Sequence, residues 1–557
     1  MYTEKCNGLA RVCRKAPQNK KVSFDIGDFQ TLDRRIEELG RPIMSATMTG
    51  SRTDEFMFSA VEVLVSLSKA GLSRVAFSQQ APLQRSFTVH TLVPCILKYT
   101  SSLSDFDTIR DVILPFWASG SSRLNSPPLV EIWKMGALRV LNRGVYPAEA
   151  MRWDVREKVE VRTVISLFFF LFFLSLHSWN LLCFVIKKNE NKLFSNFQVR
   201  CAVSGEEWFE RRNDLRACFI QISKALFERG HKECLCEILK RSTNELVVVA
   251  SKSSKDMNWI YWESAVWRAR CIAHTIPNLS GQHLSSILAM YFSKNGPDSI
   301  IHMHSLLRAT FVDGIRLTRT FWTTHKDTMP YALKLSIVGI SAISNMNDET
   351  IAKCDIAWFR GEHLNIMRTA LVQSASTSGI TFDRLCQSAA QSEHPLNVSL
   401  FSELLNVMSK IVYRSNTADG DGGKVKIPVY ALPAHIRRPV LKGLSALGSA
   451  LGNIKESERS LNVLTLDSWR TLDILTSSLN MSNWSLQLLR ALSVLEAVLC
   501  GDVASMWNRR SSDICVRFVS KHWILVRRVF TVLRSSRNTI KDLSPLLARL
   551  GNVCMLM

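Results

Sequence analysis

Two short clusters of histidine and cysteine contain the residue types that bind zinc. His231, Cys234 and Cys236 form the sequence H-x-x-C-x-C, and His302 and His304 form H-x-H. Structural zinc needs four ligands that converge on one point, whereas residues at i and i+2 of a helix point to different sides. Both clusters lie in helix-like sequence, so their spacing favours buried cysteines and ordinary histidines over a metal site, and no cofactor is predicted.

Asp419–Lys424 is similar to two kinds of ligand-binding loop and completes neither. A phosphate-binding loop requires Ser or Thr after its lysine, but Val425 stands there. A calcium-binding loop requires oxygen ligands at fixed spacings that end in a glutamate, and these are missing. Ser445 follows Gly443 without the second glycine of a nucleophile elbow. The sequence therefore predicts a non-enzymatic protein with no catalytic residue.

A basic tract near the end of the sequence carries the most interpretable binding signal. Its cations outnumber the carboxylates of Asp513 and Asp542, and arginine holds carboxylates with two parallel hydrogen bonds. The tract predicts a protein partner with an acidic surface; contact with nucleic acid or anionic lipid, and a merely solvated helix surface, are the alternatives. The candidate partner-binding residues are Arg509, Arg510, Arg517, Lys521, Arg527, Arg528 and Arg534.

The same tract has the apolar periodicity of a helix. Ile514, Phe518, Leu525, Val529 and Leu533 share one side at helical spacing, and the cations mostly lie off that side. The stripe predicts packing against the core. Trp507 and Trp523 lie in the same region, where an aromatic side chain could anchor a partner, although core packing is its commoner role.

Amphipathic helical periodicity recurs along most of the chain. Segments of roughly ten to twenty residues carry apolar residues at three- and four-residue spacing, and short polar turns separate them. Examples are 259–276, 435–451, 468–479 and 485–499. Alternating strands are nearly absent, and Val247–Ala250 is the best short candidate. The sequence predicts an all-α fold.

Three of these helices share a pattern: a small residue, then Leu, then Leu three positions further on. They are Gly136–Leu141, Lys442–Leu447 and Arg490–Leu495, and the last two begin 48 positions apart (490 − 442). The small residue lets a neighbouring helix approach closely, while the two leucines share one side. This spacing is near the HEAT and armadillo period of about 40–47 residues, and Pro433–Leu441 resembles the inner helix of a HEAT repeat. The resemblance, which extends to architecture only, implies a helical-repeat α-solenoid; a multi-helix globular bundle is the alternative.

One apolar segment differs from the rest of the chain. Val164–Ile186 contains no Asp, Glu, Lys or Arg and is long enough to cross a bilayer core of about 30 Å. Basic residues flank both ends, so its orientation is not predicted. Its candidate transmembrane residues are Val164, Phe168, Phe170, Phe173, Leu182 and Ile186.

The surrounding block Val161–Gln198 has a second interpretation, as a translated intron retained in the gene model. Val161-Arg162 can be encoded by a splice-donor consensus and Phe197-Gln198 by an acceptor. Excision would join Glu160 to Val199 in frame and leave a charged, helical chain. A genuine transmembrane helix and a buried core helix remain the two alternatives.

Composition and charge narrow the compartment and the class of partner. The formal net charge is +22, which attracts acidic partners, nucleic acid or anionic membrane. The fourteen cysteines contain no C-x-x-C spacing, which favours reduced thiols. The first residues lack the apolar stretch of a signal peptide. We expect a cytoplasmic protein; a single-pass membrane protein is the alternative.

The expected organisation has six parts, and the expected function is that of a scaffold or adaptor that binds other proteins. A membrane-anchored helical protein and a nucleic-acid-associated protein are the alternatives, followed by an enzyme whose site is assembled from distant residues. The parts are a flexible basic arm at 1–30, a helical region at 31–160, the insert at 161–198, central helical repeats at 199–414, a Gly/Asp-rich loop at 415–427, and C-terminal repeats at 428–557.

Deletion of Val161–Gln198 distinguishes the interpretations of the insert. We expect the shortened chain to stay soluble and to unfold cooperatively in thermal denaturation, because the flanking helices have ordinary amphipathic patterns. Sequencing cDNA across the junction should show dominant messages that lack the block. A shortened chain that aggregates, together with full-length protein that inserts stably into bilayers, would instead establish a transmembrane helix.

Overall fold

The computed structural model describes most of the chain. The described residues are 26–48, 54–75, 86–103, 105–119, 127–145, 204–252, 259–296, 299–325, 327–344, 346–362, 370–391, 398–413, 429–451, 454–477, 484–505, 509–535 and 548–553. The apolar segment Val164–Ile186 and the loop 415–427 lie outside these residues, as does most of the arm at 1–30.

Helices form nearly all of the described structure. They are α1 Ile26–Met48, α2 Asp54–Val75, α3 Val93–Ser102, α4 Phe106–Thr108, α5 Leu114–Ser119, α6 Pro127–Arg143, α7 Ser204–Glu228, α8 Lys232–Lys252, α9 Trp259–Ile272, α10 Pro277–Asn295, α11 Ser299–His302, α12 Ser305–Leu317, α13 Arg319–Thr324, α14 Met329–Ser341, α15 Asp348–Arg360, α16 Ala370–Ala390, α17 Val398–Val412, α18 Ala434–Ser449, α19 Ile454–Ser477, α20 Trp484–Ser505 and α21 Arg509–Ser535. Two π-helical turns, Thr88–Leu92 and Ile109–Ile113, and a helical segment at 548–553 complete the set. Outside the helices, the described backbone pairs only at an isolated bridge between Tyr413 and Tyr430. The predicted all-α fold is confirmed.

The structure differs from the sequence predictions at some element boundaries. Val247–Ala250, the best strand candidate, lies inside α8, so that prediction is wrong. Valine favours strands only by a small margin that a long helix overrides. Helix α1 begins at Ile26, within the segment expected to be an arm, and α19 begins at Ile454, fourteen positions (468 − 454) before the expected start.

The described residues fall into two compact units. Unit 1 contains those up to residue 145 together with 204–283, and unit 2 contains those from Leu284 onward. The division lies inside α10 and within the central region expected at 199–414.

Unit 1 is built around a tryptophan pair. The rings of Trp117 and Trp133 meet edge to face with their centroids 5.3 Å apart, and both are fully buried. Trp117 donates to the Thr100 hydroxyl at 3.0 Å, and Trp133 donates to the Trp117 carbonyl at 3.1 Å. A Cβ at Gly136 would lie 2.6 Å from the Trp117 ring. Gly136, the small residue of the first motif, therefore leaves the space that the Trp117 ring occupies.

Unit 2 stacks alternate helices side by side. Helices α14, α16, α18 and α20 form a continuous row in which each contacts the next, while α17 and α19 pack against α18, and α21 packs against α19 and α20. Such alternation buries one core along the whole array, as in HEAT-like helical repeats. The HEAT/armadillo-like repeat architecture predicted from the three motifs is thus present in this unit.

The row is close-packed where the second motif crosses its neighbours. A Cβ at Gly443 on α18 would lie 2.9 Å from the Cα of Asp383 on α16. Leu444 and Leu447 are buried, and the Ser445 hydroxyl donates to the Val498 carbonyl on α20 at 2.6 Å. Ser445 therefore holds two helices together.

Replacing Gly443 by alanine should destabilise the protein by about 1–3 kcal/mol, because the added methyl group forces two backbones apart. The midpoint of urea denaturation measures this change. Gly551→Ala is the matched control: its Cβ would meet no atom within 4 Å, and alanine favours a helix more than glycine does. Equal midpoints for the two variants would show that α16 and α18 are not closely packed at Gly443.

A buried carboxylate joins three helices of unit 2. Asp355 of α15 is fully buried and accepts from the Arg490 Nε of α20 at 2.7 Å and from the Ala434 backbone N–H at 2.5 Å. Arg437 of α18, also fully buried, lies 3.8 Å from the same carboxylate. One anion therefore faces two cations. The Arg437 guanidinium also donates to the Leu432 carbonyl at 2.9 Å and lies 3.8 Å from the centroid of the Tyr430 ring.

Helix α15, which contains Asp355, has a defined cap at each end. The Asn347 side chain accepts from the Thr350 N–H at 2.8 Å and begins α15, while Gly361, with φ of 72°, ends it in the left-handed conformation. Burial raises the pKa of Tyr430 above its ordinary value, so its ring contacts Arg437 as a neutral phenol.

A second carboxylate joins the row to the segment at 548–553. Glu496 of α20 pairs with Arg438 of α18 at 2.9 Å and with Arg549, and it accepts from the Asn552 amide at 2.8 Å. Burial lowers the pKa of Arg438, against the attraction of Glu496. Leu550 and Val553 of the same segment are buried, so this short helix is held by both charge and apolar contact.

Replacing Asp355 by asparagine should cost about 3–5 kcal/mol of unfolding free energy, because it leaves the buried Arg437 and Arg490 without their anion. Chemical denaturation followed by circular dichroism measures the loss. The control is Glu349→Gln on the same helix, which breaks an exposed pair with Lys353 at 2.7 Å and should leave the midpoint unchanged. A stable Asp355→Asn protein would contradict the role assigned to this carboxylate.

Candidate interaction surface

Helix α21, which carries the predicted basic tract, buries one side against the rest of unit 2. Val526, Val529 and Leu533 are buried, and Leu525 is only partly so. The predicted stripe is therefore correct at Val529 and Leu533, while Val526 makes the buried contact expected of Leu525. The side chains of Ile514 and Phe518 lie outside the described structure.

Two contacts fix the rotation of α21 on α19. The His522 ring stacks on the buried Trp469 ring with centroids 4.4 Å apart and planes 4° from parallel. Arg528 donates to the Asp473 carboxylate at 2.9 Å. Both Arg528 and Asp473 are half-exposed, so this ion pair contributes more to orientation than to stability.

An exposed side of α21, next to the buried one, presents aromatic rings between arginines. Trp523 is 47% exposed and Phe530 is 52% exposed, and Arg527 and Arg534 are exposed as well. These four residues stand at i, i+4, i+7 and i+11, which places them along one side of a helix. We call them the α21 stripe. Ile524, 72% exposed, flanks it.

The predicted cations of the tract fall into three groups. Arg527 and Arg534 lie in the stripe, and neither forms an ion pair with any other described residue. Arg528 is committed to Asp473. The remaining four belong to α21, but the positions of their side chains are outside the described structure; they are Arg509, Arg510, Arg517 and Lys521.

The sequence analysis predicted a role for Trp523 but not for Phe530 and Ile524, the other exposed apolar residues of α21. The signal was present in the sequence: Phe530 stands seven positions after Trp523, with Arg527 between them, on the side next to Val526 and Leu533. An apolar side chain on the charged side of an amphipathic helix is either a partner contact or a chance exposure. Here the apolar side chain repeats at two-turn spacing, because Trp523 and Phe530 are both exposed.

Helix α20 is the one described helix that is long and apolar enough to cross a membrane. The window Trp484–Gly501 has a mean hydropathy of 1.3, and 83% of it is buried by neighbouring helices. That burial is the property of a core helix. The segment expected to cross a membrane, Val164–Ile186, is a different one.

The residues considered for chemistry occupy structural positions. The His231 carbonyl accepts from the Cys234 N–H at 3.2 Å in the turn that begins α8, and Cys234 is buried. In the described part of the chain, His, Cys, Asp and Glu form no group of three or more that could hold a metal. Burial raises the pKa of Cys218 and of Cys271 to about 12, so these thiols stay protonated and are poor nucleophiles at neutral pH.

A cavity of about 530 Å³ lies at the end of α15. It is lined by Trp358, Gly361, Glu362, Gln373, Ser376, Thr377 and His435. Burial lowers the pKa of His435 below its ordinary value, and its Nδ1 has no hydrogen-bond partner among the described residues. The imidazole is therefore neutral at pH 7.

Comparison with known proteins identifies no family for this chain. No family model matches the chain, and no curated protein matches it at a significant level. A crystal structure of importin beta is similar at 10% identity, with a TM-score of 0.27, over 100% of this chain and 63% of that one. A circular tandem repeat protein with a novel repeat topology is similar at 11% identity, with a TM-score of 0.15, over 96% of this chain and 97% of that one.

The chain thus spans 63% of the length of the importin beta chain that it matches. The HEAT/armadillo-like character of the chain rests on its own helices, through the alternating stack of α14, α16, α18 and α20.

Proposed function

We propose that this chain is a non-enzymatic helical-repeat scaffold that binds other proteins, and that the α21 stripe is a binding site for a partner with an acidic surface. The observation that supports the proposal is the alternation of half-exposed Trp523 and Phe530 with Arg527 and Arg534, which form no ion pair with another described residue. Tryptophan and arginine are enriched among residues that dominate binding energy at protein interfaces.

The physical basis is a division of roles between the two sides of α21. Val526, Val529 and Leu533 already hold the helix on its unit, so the stripe is not needed for folding. Its rings supply apolar area that stays in water in the isolated chain. Its guanidinium groups supply charge that selects carboxylates and steers their approach.

A protein partner fits this surface better than a nucleic acid does. The formal charge of +22 favours any polyanion, but in the stripe the arginines number two and alternate with rings, instead of forming a continuous basic patch. The net charge and the proposed partner are both compatible with a cytoplasmic scaffold.

Reversing Arg527 and Arg534 together to glutamate should abolish or strongly weaken capture of partners by the full-length chain. The reason is that two attractive contacts become repulsive, while the exposed side chains leave the fold unchanged to within about 0.5 kcal/mol. Quantitative mass spectrometry of proteins retained at several salt concentrations measures the loss. Screening over about 8 Å at physiological ionic strength limits the effect to close contacts.

The matched control is the double reversal of Arg319 and Arg384, two exposed arginines on α13 and α16. It changes the net charge by the same amount on a different surface and should retain the partners. Unchanged capture by the Arg527/Arg534 variant would exclude the α21 stripe as the site. A large fall in its melting temperature would show that these arginines are packed.

A further inference from the structure

The α21 stripe lies on a flank of the array in unit 2 that the other described helices leave open. Helix α18 has α16 on one side and α20 on the other, whereas α21 packs against α19 and α20, and none of the other described helices packs extensively on it. Because His522 and Arg528 face α19, the stripe at Trp523, Arg527, Phe530 and Arg534 points away from it. In stacked arrays this is the flank on which a further helix would continue the packing.

The spacing of the stripe matches the side of another helix. Trp523 and Phe530 are seven residues apart, which at about 1.5 Å rise per residue is roughly 10.5 Å along the axis. A helix lying lengthwise beside α21 would place its own residues at i, i+4, i+7 and i+11 against this row. Apolar side chains would then fill the space next to the rings, and carboxylates one turn away would reach Arg527 and Arg534.

We infer that the α21 stripe binds an acidic amphipathic α-helix of another protein, laid along α21 as one further helix of the array. This inference rests on the proposed function and specifies the chemistry of the partner. Trp523 and Phe530 contact the partner's aliphatic residues. Arg527 and Arg534 pair with its Asp or Glu residues, which lie on the same side as the aliphatic ones.

Other occupants match the stripe less well. A second copy of α21 would bring two further arginines against Arg527 and Arg534 and would supply no carboxylate from its own stripe. A membrane surface would need a wide apolar side, but the wide apolar side of α21, with Val526, Val529 and Leu533, is buried. An extended acidic peptide would lack the two-turn repeat.

Site-specific photo-crosslinking in the full-length chain tests the inference. The photo-reactive analogue p-benzoyl-phenylalanine replaces Trp523, and in a control chain it replaces Val463, an exposed apolar residue of α19. After irradiation in cell lysate, mass spectrometry maps the cross-linked segment. We expect segments rich in Asp and Glu with apolar residues at helical spacing, cross-linked from position 523 and absent from the control.

The mapped segment is then synthesised with a fluorescent label, alongside a version with proline at its centre. Fluorescence anisotropy with the unmodified full-length chain should show at least about a tenfold loss of affinity for the proline version, because proline breaks a helix interior. Phe530→Ala should weaken binding of the native segment, and Leu466→Ala, a matched exposed position on α19, should not.

The outcomes separate the two levels of the proposal. An acidic segment that binds equally well with proline overturns the helical partner and leaves the acidic-partner function standing. Cross-links to a second copy of the chain, to lipid or to nucleic acid overturn the inference, as does a segment without carboxylates. Absence of any cross-link above the control, together with unchanged capture by the Arg527/Arg534 reversal, overturns both.

Discussion

The carboxylate of Asp355 is the contact on which the order of unit 2 depends. It accepts hydrogen bonds from Arg490 Nε and from the first backbone N–H of α18. Helices α15, α18 and α20, which are far apart in sequence, therefore meet at its two oxygen atoms. Helix α19 packs against α18 and α20, and α21 packs against α19. The position of the α21 stripe therefore depends on the pairing of Asp355 with Arg490. A buried ion pair adds little net stability compared with apolar packing, but it penalises every arrangement that separates its charges. Stacking orders that separate Asp355 from Arg490 are therefore disfavoured.

Local patterns predicted the helices and their close approach. The spacing of apolar residues predicted most of the helices, and the small residue Gly443 predicted a close approach of a neighbouring helix, which is α16. Both signals are properties of residues that are close together in the sequence. The strand candidate Val247–Ala250 was wrong, because the intrinsic preference of valine for strands is weaker than the context of the long helix α8. The pairing of Asp355 with Arg490 was beyond prediction, because no feature of either local sequence indicates the other, 135 positions away.

The candidate surface shows the same limit. Sequence periodicity placed Arg527, Arg528 and Arg534 on one charged tract, but it could not distinguish them. Arg528 faces Asp473, 55 positions earlier, and only the packing of α21 on α19 reveals that this arginine is already paired. The exposure of Phe530 likewise depends on which side of α21 meets the core. Local sequence therefore identified the tract, while tertiary contacts identified the residues within it that remain available.

The docking of the segment at 548–553 has a consequence for synthesis on the ribosome. Glu496 is buried between Arg438, already made, and Arg549, which is added 53 positions later. Until that residue emerges, the carboxylate lacks two of its partners and the apolar surface that receives Leu550 and Val553 stays uncovered. The helix at 548–553 can therefore dock on Glu496 only after the whole of α20 has been synthesised.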